Sequence, residues 1–290
     1  ECNIVFKVTP PSDEEVDLMP GNQTLISALQ ISIQPKEVLT KLIRKKITAI
    51  AWDYIRDEDG VFSLVRTVGE IAGNTSILIA GELISSFASG KGMMLGGIAG
   101  VQPTEVVIIG AGTVGEFATR AALGLGASVK VFDNRLSKLR RLQNDIGKRV
   151  YTSIIQPKVL AKAIKRADIV IGALRSNVGK TPCVVTEMMI QDMKSGSVIV
   201  DVSIDQGGCF ETSRITNHDD PTFIKHGVTH YCVPNIASRV SRTASFAISN
   251  IFSPLLLEMG DCGGVVELIR SNQGFRNGVY IYKGILTNEV

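Results

Sequence analysis

Short apolar runs and segments of helical period alternate along the first third of the chain. Runs at 3–8 and 47–52 predict strands, a further apolar run covers 22–29, and the spacing over 35–46 predicts a helix. This alternation is typical of a parallel sheet. The longer apolar segment at 68–88 predicts a helix of several turns.

A glycine-rich connection over 90–103 is followed by a regular series of strands and helices. Apolar runs predict five strands, at 105–110, 128–133, 169–172, 197–202 and 229–233. The intervening segments predict four helices, at 113–123, 137–146, 157–166 and 186–193. Five strands with short connections describe a doubly wound nucleotide-binding sheet.

The last long apolar stretch, 244–259, predicts a helix that is interrupted near Pro254. We expect this helix to leave the nucleotide-binding sheet and rejoin the first part of the chain. The predicted fold is therefore α/β, with a doubly wound parallel Rossmann domain at 67–241 and a second, discontinuous α/β substrate domain from 1–66 and 242–290. Because a strand starts almost at once, the chain is expected to begin inside a domain.

Composition narrows the class of protein further. The formal net charge is +3, from 31 basic and 28 acidic residues, and the basic groups are interleaved with apolar ones, so no nucleic-acid partner is expected. Five cysteines without CxxC spacing and three histidines without partners predict neither a disulfide framework nor a metal site. Reduced thiols fit a cytoplasmic protein, and no membrane partner is expected. Three cysteines are expected to be buried packing residues: Cys183, Cys209 and Cys232.

The sequence VVIIGAGTVG at 106–115 places a GxGxxG motif between an apolar strand and the start of a helix. Gly110 permits the tight turn, Gly112 lets the backbone approach a pyrophosphate, and Gly115 lets the helix lie close to the strand. The unpaired N–H groups at the start of the helix favour phosphate charge. Glycine-rich turns also occur without ligands, so this motif depends on its context.

That context is a second strand, VKVFD, which ends in Asp133 18 residues after Gly115. An acid at this spacing accepts hydrogen bonds from the adenosine ribose and repels a 2′-phosphate, which favours NAD over NADP. The competing interpretation of Asp133 is a helix cap or turn aspartate. Lys138 and Arg135 follow on the next helix, near the adenosine end, although a surface role suits Arg135 equally well.

A third motif, VIVDVSIDQGG, delivers Asp205 to the carboxyl end of a hydrophobic strand, ahead of two glycines. In a doubly wound sheet this edge faces the ligand crevice. There Asp205 could handle protons beside a nicotinamide ring, and partial desolvation would raise its pKa. A turn-forming aspartate before Gly-Gly is the alternative.

Three segments resemble the cofactor domain of alanine dehydrogenases, a family related to the nucleotide-binding subunit of proton-translocating transhydrogenases: GAGTVGEFATRAALGLGASVKVFD, VIVDVSIDQGGCFETSR and HYCVPNIASRVSRTASFA. The similarity runs along the whole chain and is strongest over 93–256. It makes Asp205 the family's catalytic aspartate. It also implies contacts with the cofactor from Thr113, Val114, Asp133, Lys138, Leu174, Val202, Arg214, Val233, Asn235 and Ile236.

The resemblance implies oxidative deamination of L-alanine to pyruvate and ammonia, with NAD as hydride acceptor. It also implies a homo-oligomer, with a hexamer as the expected state, and a small-molecule substrate. In this scheme the chain would lack the N-terminal segment that holds the family's substrate-carboxylate arginine, and would stop short of the family's C-terminal end.

Two departures stand where the family has a lysine and a histidine that hold and activate the substrate. Thr9 occupies the lysine's place and Gln30 the histidine's. Neither side chain carries a positive charge or shuttles a proton near neutral pH. Lys7, two residues before Thr9 and thus on the same face of the predicted strand, could substitute.

These departures keep two other functions open. One is a transhydrogenase-like or regulatory nucleotide-binding module without amino-acid turnover. The other is a dehydrogenase for another amino acid or an opine-like substrate. Against a transhydrogenase, the DQGG sequence after Ile204 looks like the dehydrogenase version of the motif.

Overall fold

A computed structural model describes residues 2–31, 34–86, 90–176 and 179–287 of the chain. Its strands, in chain order, are β1 Ile4–Phe6, β2 Thr24–Ser27, β3 Thr48–Ala51, β4 Glu105–Ile109, β5 Ser128–Phe132, β6 Tyr151–Ser153, β7 Ile169–Gly172, β8 Val198–Asp201, β9 Thr222–Lys225, β10 Val228–Tyr231, β11 Val279–Tyr282 and β12 Ile285–Leu286. The α-helices are α1 Asp13–Leu18, α2 Lys36–Arg44, α3 Ser63–Ser85, α4 Thr113–Gly124, α5 Leu136–Ile146, α6 Pro157–Arg166, α7 Glu187–Gln191, α8 Ser241–Asp261, α9 Val265–Ser271 and α10 Gln273–Arg276.

The chain divides into two compact units. Unit 1 combines Glu1–Thr67 with Ser245–Val290, and unit 2 is Val68–Ala244. The chain passes from one unit to the other within α3 and returns within α8. Unit 1 is therefore assembled from the two ends of the chain.

Unit 1 contains a five-stranded sheet in the order β1-β2-β3-β11-β12. The first three strands are parallel, and the last two add antiparallel pairs. All four residues of β3 are buried, as expected for a strand that is covered on both faces. The strand pairings bring the carboxyl ends of β1, β2 and β3 to one edge of this sheet.

Unit 2 contains a seven-stranded sheet in the order β6-β5-β4-β7-β8-β10-β9. All neighbouring strands are parallel except β9, which pairs antiparallel with β10. Every residue of β7, β8 and β10 is buried, which explains the nearly continuous apolar sequences of β7 and β8. Two apolar clusters cover the two faces of the sheet, and this is the doubly wound α/β arrangement that the sequence predicted.

Several elements differ from the sequence-based expectation. The strands β6, β9, β11 and β12 and the short helices α1, α9 and α10 were not predicted. The predicted interruption at Pro254 is wrong, because α8 continues through this residue. Proline removes a donor to the carbonyl four residues earlier, but Asn250 and Pro254 are both exposed, so water can satisfy that carbonyl.

Within the described ranges, each helix is too short or too polar to cross a membrane.

Candidate functional site

The order of strands in unit 2 reverses between β4 and β7, so the chain leaves these two neighbours in opposite directions. In doubly wound sheets a ligand crevice forms at such a point, outside the carboxyl ends of the strands. Gly110 follows β4 and Ala173 follows β7, and their backbones are in close contact. A Cβ on Gly110 would lie 2.3 Å from the Ala173 carbonyl oxygen.

The glycine loop has the conformation that its three glycines were expected to allow. Gly110 has a φ of +117°, which other residues rarely adopt. A Cβ on Gly115 would lie 1.8 Å from the Gly110 carbonyl oxygen, so only glycine lets α4 begin this close to β4. Gly112 is different, because its φ of −78° is ordinary and a Cβ there would meet nothing within 4 Å. The space over Gly112 is therefore open.

Helix α4 begins at Thr113, next to this open space. Thr113 and Val114 are half-buried, and their N–H groups belong to the first turn, which has no acceptor within the helix. The first helical bond runs from the Glu116 N–H to the Gly112 carbonyl, at 2.9 Å. This helix start offers donors and a positive dipole end, the features that bind a phosphate.

Asp133 lies at the end of β5 and is 4% exposed. Its Oδ2 accepts a hydrogen bond from the Ala111 N–H at 2.8 Å, and its Oδ1 accepts one from the Arg135 N–H, also at 2.8 Å. The carboxylate thus joins the glycine loop to the turn before α5. This corresponds to the cap or turn role that competes with ribose binding. Each carboxylate oxygen accepts more than one hydrogen bond, so the two roles are compatible. Lys138 lies half-buried on α5.

Asp205 lies in the short 3₁₀ helix Val202–Gln206, which follows β8. Its Oδ1 accepts a hydrogen bond from the Asn235 N–H at 2.7 Å. Asn235 can present this N–H because it adopts a left-handed conformation with a φ of +52°. The structure therefore brings these two predicted site residues together.

The pKa of Asp205 is raised above the usual value of an aspartate. The largest cause is desolvation by the surrounding protein, although part of the residue reaches solvent. The Asn235 N–H and the positive charge of Arg175 act in the opposite direction. Sequence reasoning missed Arg175, which follows β7 without a recognisable motif.

The other predicted cofactor contacts have mixed environments. Leu174 is half-buried against the apolar cluster on one face of the sheet, and Val202 against the cluster on the other. Val233 and Ile236 are almost fully buried. Arg214 is exposed, with its guanidinium 4.4 Å from the centre of the Phe223 ring.

Asp201 also lies at the carboxyl edge of the unit 2 sheet, and it was not predicted from the sequence. It ends β8, is 1% exposed, and accepts hydrogen bonds from the chain on both sides of Asp205. Burial raises its pKa to about 6. A charged residue inside an otherwise apolar strand was the signal that could have identified it, since a buried carboxylate needs several donors.

The three predicted substrate residues lie in unit 1. The strand β1 ends at Phe6, so the expectation that Lys7 and Thr9 share a strand face is wrong. The Lys7 ammonium pairs with Glu15 at 2.9 Å, on the first turn of α1. Thr9 is exposed, and Gln30 is half-buried with a φ of +44°. Neither Thr9 nor Gln30 supplies a charge at this edge of the unit 1 sheet.

One expectation about the cysteines is wrong. Cys209 and Cys232 are buried, as predicted, but Cys183 is exposed. It precedes the bridge between Val185 and Phe210, outside any helix or strand, where no packed layer covers it. No group of three or more potential metal ligands occurs among the residues that the structure describes.

Two family domain models together match almost the whole chain. The model of the alanine dehydrogenase/PNT N-terminal domain matches residues 1–72, and that of the C-terminal domain matches residues 76–289. The chain belongs to the alanine dehydrogenase/PNT family.

Relatives within the alanine dehydrogenase/PNT family are similar over the whole chain. The alanine dehydrogenase of Mycolicibacterium smegmatis is 37% identical over 289 residues, which cover 100% of this chain and 77% of that protein. Alanine dehydrogenase 2 of Staphylococcus aureus is 38% identical over 290 residues, with the same coverage.

Solved structures give the same result for the fold. An L-alanine dehydrogenase superposes with a TM-score of 0.90 at 33% identity, covering 99% of this chain and 79% of that one. A transhydrogenase from Sinorhizobium meliloti superposes with a TM-score of 0.79 and the same coverage, but at 22% identity this likeness shows the fold alone.

Proposed function

We propose that the chain is an NAD-dependent alanine dehydrogenase, an oxidoreductase that converts L-alanine and water to pyruvate and ammonium. The observation that carries this proposal is the carboxyl edge of the unit 2 sheet, where an open helix start follows β4, Asp133 follows β5 and Asp205 follows β8. The chain that carries them belongs to the alanine dehydrogenase/PNT family. Whole-chain relatives named alanine dehydrogenase support the same substrate.

The residues present fit a pyridine nucleotide. Its diphosphate would lie over Gly112, where a Cβ meets no atom, against the N–H groups of Thr113 and Val114. Asp133 would accept the ribose hydroxyls, and its negative charge favours NAD over a 2′-phosphorylated nucleotide. The half-buried apolar side chains of Leu174 and Val202 would line the rest of the crevice.

When bound, NAD supplies a hydride acceptor for the Cα hydrogen of alanine. The part played by this chain is proton transfer and positioning. The Asn235 N–H occupies Oδ1 of Asp205, so Oδ2 is the atom that would hold or release a proton beside the substrate. Desolvation raises the pKa of Asp205 toward the range in which it can do so. Water that Asp205 orients would then hydrolyse the imine formed from alanine.

A direct test measures NADH formation by the 290-residue chain with L-alanine and a panel of other amino acids. Calorimetric titration with NAD and NADP accompanies it. The proposal expects binding of NAD, weaker binding of NADP, and turnover of L-alanine above the rest of the panel. A higher rate with another amino acid would reassign the substrate while keeping the chemistry.

A nucleotide-binding module without amino-acid turnover is the second candidate. Thr9 and Gln30 favour it, because neither carries a charge, and the Lys7 ammonium is already paired with Glu15. The double variant Thr9→Lys with Gln30→His separates the candidates. If the unsubstituted chain binds NAD without turnover and the variant gains activity, the second candidate is correct. Activity in the unsubstituted chain excludes it.

A homo-oligomer, with a hexamer as the specific state, and a cytoplasmic location also belong to this proposal. Light scattering or analytical ultracentrifugation tests the first, and an independent fractionation of cells tests the second.

A further inference from the structure

The carboxylate of Asp201 gathers donors from three other residues inside unit 2. Its Oδ1 accepts a hydrogen bond from the Ser203 N–H at 3.0 Å, and its Oδ2 accepts one from the Cys209 N–H at 3.1 Å. The Ser213 hydroxyl donates to Oδ2 at 2.6 Å, and the Cys209 thiol lies 3.8 Å from Oδ1. The side chain is 1% exposed, so water does not replace these partners.

These donors come from both sides of Asp205 in the chain. Ser203 lies two residues before Asp205 in the 3₁₀ helix, and Cys209 follows after two glycines. Gly207 and Gly208 both have positive φ angles, of +95° and +79°, which favour glycine. A single carboxylate therefore closes the loop that carries Asp205.

The surrounding backbone makes room for this carboxylate. A Cβ on Gly208 would lie 2.6 Å from Oδ2 of Asp201, and a Cβ on Gly172 would lie 2.7 Å from Oδ1. Glycine at both positions lets the two oxygens sit between β7 and the loop. Three separate parts of the chain thus surround one buried side chain: Gly172, the loop 203–209 and Ser213.

We propose that Asp201 is a positioning residue, which holds the 3₁₀ helix Val202–Gln206 so that Asp205 meets its substrate in one geometry. This inference rests on the proposed function for the identity of the reaction. The contact of Asp201 with the loop that carries Asp205 does not depend on which reaction is catalysed.

Burial raises the pKa of Asp201 to about 6, so the residue is charged at neutral pH, and its hydrogen bonds stabilise that charge. The titratable groups that face it are three thiols, those of Cys183, Cys209 and Cys232. Desolvation raises the pKa of each thiol, through burial at Cys209 and Cys232 and through partial cover at the exposed Cys183, so all three are neutral at pH 7.

The variant Asp201→Asn keeps the shape of the side chain but removes one acceptor. Whichever way the amide is oriented, its NH₂ group faces a backbone N–H, either that of Ser203 or that of Cys209. That N–H then has no acceptor, and the loop is less firmly held. We expect kcat to fall by about tenfold or more, with NAD affinity changed by less than about threefold.

Amide hydrogen exchange provides a readout that does not depend on activity. In Asp201→Asn the amides of residues 203–213 should exchange about tenfold faster than in the unsubstituted chain, because their anchor is weakened. Exchange in the strands β4 and β5 should stay unchanged.

Asp168→Asn is the matched control. Asp168 is also buried, at 4% exposure, and accepts hydrogen bonds from Lys91, Lys194 and the Glu105 N–H. It precedes β7 and therefore lies at the amino ends of the strands, whereas Asp201 lies at their carboxyl ends. This variant should leave kcat and exchange at residues 203–213 unchanged.

The outcomes separate the two proposals. Unchanged exchange at 203–213 in Asp201→Asn overturns the inference, and so does an equal fall of kcat in Asp168→Asn, which would indicate a general loss of stability. If the unsubstituted chain forms no NADH with any amino acid, the proposed function fails. The exchange comparison then still decides whether Asp201 holds the loop.

Discussion

Asp205 combines an anchored oxygen with a raised pKa at the carboxyl edge of the unit 2 sheet. In Asp205→Asn the amide oxygen can still accept the Asn235 N–H, so the loop should keep its conformation. The variant cannot exchange a proton, and we expect kcat to fall by about 100-fold or more. Steady-state kinetics measure the rate, and calorimetry should show NAD affinity within a few-fold of the original.

The control for this prediction is Asp192→Asn, which changes another exposed aspartate of unit 2, one that pairs with Lys165 at 3.7 Å. It should be fully active. Full activity in Asp205→Asn itself would remove Asp205 from the reaction and leave the turn-forming role as its explanation.

Asp133 should determine the choice between NAD and NADP. Its charge repels a 2′-phosphate, and its oxygens can accept ribose hydroxyls as well as the two backbone N–H groups that they already bind. We expect Asp133→Ser to lower NAD affinity by about tenfold and to raise the preference for NADP. Titrations with both nucleotides measure this.

Because Asp133 also joins the glycine loop to the turn before α5, its variant needs a check on folding. Circular dichroism of Asp133→Ser should match that of the original chain. A folded variant with unaltered selectivity would assign Asp133 to the loop contact alone.

Sequence and structure differ in how well they identify single residues. Asp133 and Asp205 could be selected because each stands at a fixed place relative to glycines and an apolar strand. Asp201 could not, since it appears as one polar letter inside VIVDVSID, and its partners come from residues up to twelve positions further along the chain. Arg175 acts on Asp205 across neighbouring strands, and no local pattern encodes that.

At the scale of elements, the start of α4 provides a test of the proposed diphosphate site. Gly112 has a φ of −78° and an open space where a Cβ would stand. Gly112→Ala should therefore fold normally and be about 0.5 kcal/mol more stable, because alanine has less freedom in the unfolded chain. Nucleotide affinity should fall by about tenfold or more, since the methyl group would occupy the space of the diphosphate.

Gly124→Ala is the matched control, at the other end of the same helix, where a Cβ also meets nothing within 4 Å. It should be as stable or more so, with unchanged affinity for NAD. Equal nucleotide affinity in Gly112→Ala and the original chain would mean that the open space does not receive the diphosphate.

The elements that sequence predicted are the long ones with a clear period. The central strands β4, β7 and β8 are almost entirely buried, so their apolar runs were easy to recognise. β6 has three residues, with Tyr151 exposed at an edge of the sheet, and β9 has no buried residue. Such edge strands lack an apolar run. β11 has a short one, VYIY, but it pairs with β3, which is far away in the sequence.

At the scale of the whole molecule, two buried groups of unit 2 should make stability depend on pH in opposite directions. His230 is fully buried, and burial lowers its pKa from 6.5 to about 4. Its Nδ1–H can donate to the Val228 carbonyl while Nε2 accepts from the Thr212 hydroxyl, which suits the neutral ring. The unfolded chain binds this proton more readily, so His230 lowers stability as pH falls from about 6.5 to 4.

Asp201 acts with the opposite sign. Its folded pKa of about 6 lies above the ordinary value of 3.8, so between these values the folded chain binds the proton more readily than the unfolded chain. Stability from this group therefore falls as pH rises from about 4 to 6. A shift of about two pKa units corresponds to about 3 kcal/mol, and the shift of His230 is of similar size. The two contributions should nearly cancel in the original chain.

Single variants should reveal each contribution. We expect Asp201→Asn to lose about 3 kcal/mol more stability than the original chain when pH is lowered from 7 to 4, because the opposing contribution of Asp201 is then absent. His230→Asn, whose amide can replace Nδ1 as a donor to Val228, should instead become relatively more stable over the same range. Urea unfolding followed by circular dichroism at several pH values measures the free energies of unfolding. Parallel pH profiles for all three chains would contradict the opposed titration of these two groups.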